Sequence, residues 1–248
     1  PQIGLFSIEN GAISYADATT DTNYDLKDVN LAFALPSLAK TVKIDGNVVF
    51  NGQPATLKLT LDSPRKFLDG KTTPVSFTLK TDFTEISAEG EFLESQEIAF
   101  NLGVEGDVKD MTKLMSYLPQ DIPAATLVNT AKLSGTYQYD GTVFSAKGAD
   151  ISASGEGLDL AFVGDATLAK TPVFDGKVNL DASDIARIVN VLDLDVPGVD
   201  IAKTIKFSAD LAAQGKGFVA KNITADLSGK DLDATFKGEG TFDETASA

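Results

Sequence analysis

The chain has 248 residues, 43% hydrophobic and 23% charged, with a formal net charge of −15. This balance argues against wholesale disorder, and the acidity argues against holding nucleic-acid phosphates or anionic lipid headgroups by simple electrostatics. With neither cysteine nor histidine, the chain lacks disulfides, thiolate chemistry, the commonest general base and the usual zinc ligands.

The opening residues, PQIGLFSIENG, read as the interior of a protein, so the chain is expected to be a processed piece of a longer one. No apolar run approaches the roughly 20 residues of a membrane span. Alternation of apolar and polar residues then dominates. Thr41–Phe50 is the first such run, and Asn51-Gly52 supplies a turn. Leu57, Leu59 and Leu61 follow at every second place, with Lys58 and Thr60 between them. Ser63-Pro64 predicts a short helix to Leu68, with proline at its first position.

Val75, Phe77 and Leu79 alternate with Ser76, Thr78 and Lys80, and Ile98, Phe100, Leu102 and Val104 form a further strand pattern. Asp110–Leu118 carries Met111, Leu114, Met115 and Leu118 at helical spacing, and Asp184–Leu192 does the same with Ile185, Ile188, Val189 and Leu192. Strand patterns fill Lys132–Tyr139, Leu158–Leu168, Lys203–Leu211 and Leu232–Phe242. Asp45-Gly46, Asp69-Gly70, Asp140-Gly141, Asp175-Gly176, Gly215-Lys216-Gly217 and Ser228-Gly229 read as further turns. Strands spaced at roughly 8–12 residues predict antiparallel meanders rather than βαβ units.

The chain also repeats itself. A shift of 74 residues sets 107–168 on 181–242 with 19 identities in 62 positions, without a gap. Asp121-Ile-Pro123 falls on Asp195-Val-Pro197, Phe144-Ser-Ala-Lys147 on Phe218-Val-Ala-Lys221, and Ser154-Gly155 on Ser228-Gly229. The unit is a helix followed by a meander of four or five strands, and a looser copy begins at Pro64. The expected organisation is a first meander unit over 1–106, a helix-plus-meander repeat over 107–180 and its second copy over 181–248. Such units stack edge to edge. The fold class expected is mainly β: an elongated, curved antiparallel sheet of meander repeats, groove-like, with a few short helices.

Residues able to do chemistry are sparse. Asp193/Asp195 and Asp231/Asp233 bring carboxylates close in sequence, Asp231 and Asp233 side by side on one strand, but without a third ligand or EF-hand spacing. They read as a solvated sheet face. Gly155-Glu-Gly157 and Gly238-Glu-Gly240 precede no helix, so they read as strand bends or bulges rather than phosphate cradles. Asn222-Ile-Thr matches a glycosylation sequon that arises easily by chance. An enzyme is not expected, nor a cofactor or a metal.

What remains is the apolar stripe. A one-sided sheet must bury its oily face. It can close on itself as a sandwich, lie beneath the short helices, or line a groove filled by an apolar ligand. The residues that would line a lipid groove are Leu57, Leu59, Leu61, Val75, Phe77, Leu79, Ile98, Phe100 and Leu102. In the alternative, the same face is an ordinary closed core and the module is a scaffold making protein contacts.

Ile8-Glu-Asn-Gly-Ala-Ile-Ser-Tyr15-Ala-Asp17, Leu26-Lys-Asp-Val-Asn-Leu31, Leu35-Pro-Ser-Leu38, Ile44-Asp-Gly46, Val49-Phe-Asn-Gly52, Leu57–Leu61 and Ser63-Pro64 occur in that order. This succession resembles the periplasmic region of AsmA-family envelope proteins, and the later repeats resemble the rest of that region. The resemblance implies a periplasmic body tethered to the inner membrane by an N-terminal anchor that this chain lacks. It also implies a long sheet trough with an apolar lining that moves phospholipid in outer-membrane biogenesis, and none of the motifs that carry it is catalytic.

Overall fold

The computed structural model describes residues 4–17, 22–95, 97–116, 122–195, 201–214 and 217–242. Fourteen strands form one sheet, each hydrogen-bonded to its neighbours in sequence and all antiparallel. They are β1 (Gly4–Asp17), β2 (Thr22–Leu35), β3 (Val42–Phe50), β4 (Gln53–Leu61), β5 (Thr73–Lys80), β6 (Thr84–Phe92) and β7 (Phe100–Val108). β8 (Thr130–Tyr139), β9 (Phe144–Gly155), β10 (Leu158–Leu168), β11 (Val173–Ala182), β12 (Ala202–Gln214), β13 (Gly217–Gly229) and β14 (Asp233–Phe242) complete it. The order runs from β1 to β14 without closing, so the sheet is open and has two edges.

Among the described residues three short helices interrupt the meander: α1 (Pro64–Leu68), α2 (Met111–Met115) and α3 (Ile185–Val191), with a 3-10 turn over Pro123–Leu127. Each α-helix starts where its sequence offers a side-chain cap. The Asp110 and Asp184 carboxylates accept the N–H groups of Lys113 and Arg187, both at 3.0 Å. Ser63 Oγ accepts the Lys66 N–H at 3.3 Å and donates to the Leu38 carbonyl at 3.2 Å, and Pro64 follows at the first helical position. Ser63 is buried. Ser63→Ala is therefore expected to lower unfolding stability by about 1 kcal/mol, read as an earlier urea midpoint.

Alternate connections of a meander lie at opposite ends of its strands. One rim of the sheet carries residues 36–41, α1, 93–95 with 97–99, 140–143 and 169–172. The other carries 51–52, 81–83, α2 with the 3-10 turn, 156–157 and α3. α2 is followed by four strands, as expected of a unit, whereas α1 is followed by three and α3 by three among the described residues, fewer than the four or five expected. α2 ends at Met115, and the rest of its predicted span falls partly on residues 117–121, outside the described residues. Gly215 and Lys216, read as part of a turn, also lie outside them.

Several turn readings are corrected. Asn51-Gly52 does close the β3–β4 hairpin, with φ of 46° and 85°, as a tight two-residue turn requires. Asp45-Gly46 and Asp175-Gly176, however, lie inside β3 and β11, and Ser228-Gly229 forms the end of β13. The glycines are there because neighbouring strands leave no room for a side chain. A Cβ on Gly46 would overlap the Asn30 carbonyl, and one on Gly176 would sit 2.6 Å from the Val163 carbonyl oxygen. Glu156-Gly157 is the β9–β10 turn and not a strand bend. Asp231 lies in the turn before β14, so it does not share a strand face with Asp233.

Register shifts in four strands mark bulges built on a left-handed residue: Asn10, Asp28, Gly148 and Asn222, with φ between 47° and 55°. Asn, Asp and Gly tolerate that conformation best, and each extra residue bends its strand and increases its twist. Gly148 and Asn222 are equivalent under the 74-residue shift. Asp165 accepts the Gly148 N–H at 2.7 Å, and the Asn222 amide donates to Asp210 at 2.6 Å. Asn222 is thus occupied as a bulge residue.

Candidate functional site

Directly opposed residues in neighbouring strands share a face, as do residues two apart along a strand. Leu57, Leu59 and Leu61 of β4 therefore stand beside Leu79, Phe77 and Val75 of β5 in three opposed pairs. Phe77 faces Ala88 of β6, Ala88 faces Val104 of β7, and Val104 faces Gly135 of β8. In the other direction Leu59 faces Ile44, Ile44 faces Phe33, and Phe33 faces Phe6, whose ring stacks on it with centroids 4.6 Å apart. One apolar row thus crosses eight strands. A parallel row runs through Leu57, Leu79, Ile86, Gly106, Leu133, Ile151, Phe162, Val178 and Ala209.

The opposite face is polar and held in register by charge. Lys80 pairs with Glu85 at 2.8 Å, Lys206 with Asp181 at 3.1 Å, and Lys58 lies 3.8 Å from Asp45. These pairs are exposed and each contributes little stability. Their value is to disfavour a one-residue slip, which would send every leucine to the wrong side. Hollows on this side are lined by groups such as Ser76, Thr78, Ser87, Glu105 and Ser134, or Glu85, Asp107, Lys132 and Asp150.

On the apolar side Leu57, Leu59, Leu61, Val75, Phe77, Leu79, Phe100 and Leu102 are half-buried. Their cover comes from neighbours in the same sheet, because the strands pack on adjacent strands and no second sheet is formed among the described residues. Tyr137 stands in the row beside Leu102, and burial pushes its phenol pKa up. Ile98 is the exception: it precedes β7, is 65% exposed and lies in the connection from β6. The β7 register starts at Phe100 because Phe92 faces it, and Leu93 N–H bonds the Ala99 carbonyl to close the loop.

α1 and α3 lie at the ends of the apolar face, and among the described residues no helix crosses its middle. α3 lays Ile188 and Val191 near Leu158, Ala182, Leu180 and Ile205, where Leu127 of the 3-10 turn completes a small core, and Val189 of the same helix is buried. At the other rim α1 places Phe67 against Phe92, ring centroids 4.8 Å apart. A hollow there is lined by Phe67, Leu68, Phe92, Leu93 and Ile98, with Lys71, Glu94 and Glu97 at its polar side.

The residues singled out from sequence come together on one face, with Ile98 displaced to its rim. Ile44, Phe33, Phe6, Ile86 and Leu133 belong to the same rows and were missed. The two-residue turn at Asn51-Gly52 fixes Ile44 opposite Leu59 once Asp45-Gly46 is read as strand, so the signal was present. Among the described residues no group of three or more acidic side chains is arranged to hold a metal ion, and no helix is long and apolar enough to cross a membrane. Compared with models of known protein families, with curated proteins and with solved structures, the chain matches none.

Proposed function

We propose that this chain is a non-enzymatic lipid-handling module whose open apolar sheet face takes up phospholipid acyl chains. The observation that carries the reading is the uncovered middle of that face. Rows of Leu, Ile, Phe and Val cross the sheet, half-exposed, with helices only at the strand ends. An apolar surface of this extent on a soluble monomer marks an interaction site. An acyl chain gains about 0.8 kcal/mol for each buried CH₂ and requires no polar constellation to recognise it.

The resemblance of the sequence to the AsmA family extends the proposal. The module would work in the periplasm as part of an inner-membrane-anchored protein, passing phospholipid along the sheet toward the outer membrane. The rows favour sliding, since neighbouring strands offer similar side chains and no position is specially adhesive. In the competing scaffold reading the same face would be covered by a protein partner.

Native mass spectrometry after gentle purification, with uptake of a fluorescent fatty-acid probe from solution, tests the proposal. Bound phospholipid and saturable uptake are expected. Reproducible absence of both would remove the lipid reading.

A further inference from the structure

We infer that the rim carrying α1 is a docking edge for the surface of a zwitterionic phospholipid bilayer; this rests on the lipid-handling reading and names the partner that supplies the lipid. Three connections along this rim present large apolar side chains to solvent: Leu68 at 73% exposed, Ile98 at 65% and Leu168 at 60%. Leu68 ends α1 between β4 and β5, Ile98 joins β6 to β7, and Leu168 ends β10. The first and last connections are six strands apart, about 29 Å along the rim at the usual strand spacing. A line of separated apolar tips that long suits a plane, whereas a protein ligand needs contiguous contact area. Behind the tips, Phe92, Phe100, Tyr139 and Phe144 face one another across β6 to β9. Of these, Tyr139 with its polar tip suits the boundary between headgroups and acyl chains, and the three phenylalanines suit its apolar side.

Charge selects the partner. The protein as a whole is strongly acidic, but around α1 the cations Lys40, Arg65 and Lys71 are interspersed with Asp69, Glu94 and Glu97, all exposed. Lys66 pairs with Asp62 at 3.4 Å. Such a balanced mixture complements headgroups that bear both phosphate and ammonium. The opposite rim also exposes Leu192 and Leu194, but there Asp82, Glu156, Asp184, Asp193 and Asp195 outnumber Lys109, Lys113 and Arg187. Docking by the α1 rim, a line of strand ends, stands the strands up from the bilayer surface and brings the hollow lined by Phe67, Leu68, Phe92 and Ile98 to the acyl chains.

The test is flotation of the purified chain with phosphatidylcholine vesicles, alone and with added phosphatidylglycerol. Binding to phosphatidylcholine is expected, weakened by the anionic lipid because the rest of the molecule is acidic. Leu168→Ser with Val173→Ser, both exposed beside the 169–172 connection of this rim and outside the hollow, is expected to lower vesicle binding at least about tenfold, since the inserted apolar area is lost. The same double variant is expected to keep its circular dichroism spectrum and to take up the soluble fatty-acid probe normally. If the unmodified chain does not float, or the double variant floats as well as it does, the docking edge is wrong. Probe uptake without vesicle binding overturns the docking edge and leaves the open face standing; vesicle binding without probe uptake does the reverse.

Discussion

Gly164→Val is expected to destabilise the sheet by about 3 kcal/mol, near the top of the range for overpacking in a well-fitted site. Gly164 of β10 directly opposes Gly176 of β11. A Cβ on Gly164 would overlap the Asp175 carbonyl and the Gly176 Cα, both backbone atoms that cannot swing aside. On Gly176 the equivalent atom would lie 2.8 Å from a ring carbon of Phe162, whose ring packs over the glycine. The two strands would have to separate along a ladder of paired residues. Urea unfolding of Gly164→Val and of Gly103→Ala gives the comparison. The nearest atom to a Cβ on Gly103 is the Glu89 carbonyl oxygen at 3.6 Å, an ordinary contact. That variant should stay within about 0.5 kcal/mol of the parent, as surface substitutions usually do. Equal midpoints for all three proteins would refute the close approach of β10 and β11.

The second large effect concerns binding. Leu59 and Phe77 are opposed in the centre of the open face, half-buried, with Ile44 and Ala88 beyond them. Leu59→Thr with Phe77→Thr keeps two residues suited to strands and replaces apolar area with hydroxyls that remain in reach of water. The expected cost to stability is about 1–2 kcal/mol, because only part of each side chain leaves an apolar environment. Uptake of the fatty-acid probe is expected to fall about tenfold or more, as several CH₂ contacts to the ligand go at once. Stability and uptake read together separate the two readings of this face. Folded protein with normal uptake would show that acyl chains do not sit on the Leu59–Phe77 row. A protein that unfolds outright, in proportion to its lost uptake, would place these side chains in a closed core.

Much of this could be read from residue order. The leucines at 57, 59 and 61 and their partners at 75, 77 and 79 alternate because a strand alternates, and the structure sets them side by side. Ser63-Pro64, Asp110 and Asp184 announce helix starts because serine and aspartate satisfy the free N–H groups of a first turn. Two Asp-Gly pairs misled. Asp45-Gly46 and Asp175-Gly176 look like turns, since Asp-Gly favours them locally, but each glycine answers to a neighbouring strand distant in sequence. Ile98 continues the alternation of β7, yet the pairing of Phe92 with Phe100 starts the strand two residues later.

The sequence by itself determined the sidedness of the sheet, the positions of its helices and the recurrence of its meander, because alternation, caps and turns are local and act within a few residues. Only the tertiary structure decided that fourteen strands join in one open sheet, with helices at the strand ends and, among the described residues, none across the middle. The physical reason is that closure depends on twist summed over many strands, sharpened at Asn10, Asp28, Gly148 and Asn222, and on what lies opposite each face. An alternating pattern is the same whether its apolar side meets another sheet or remains open.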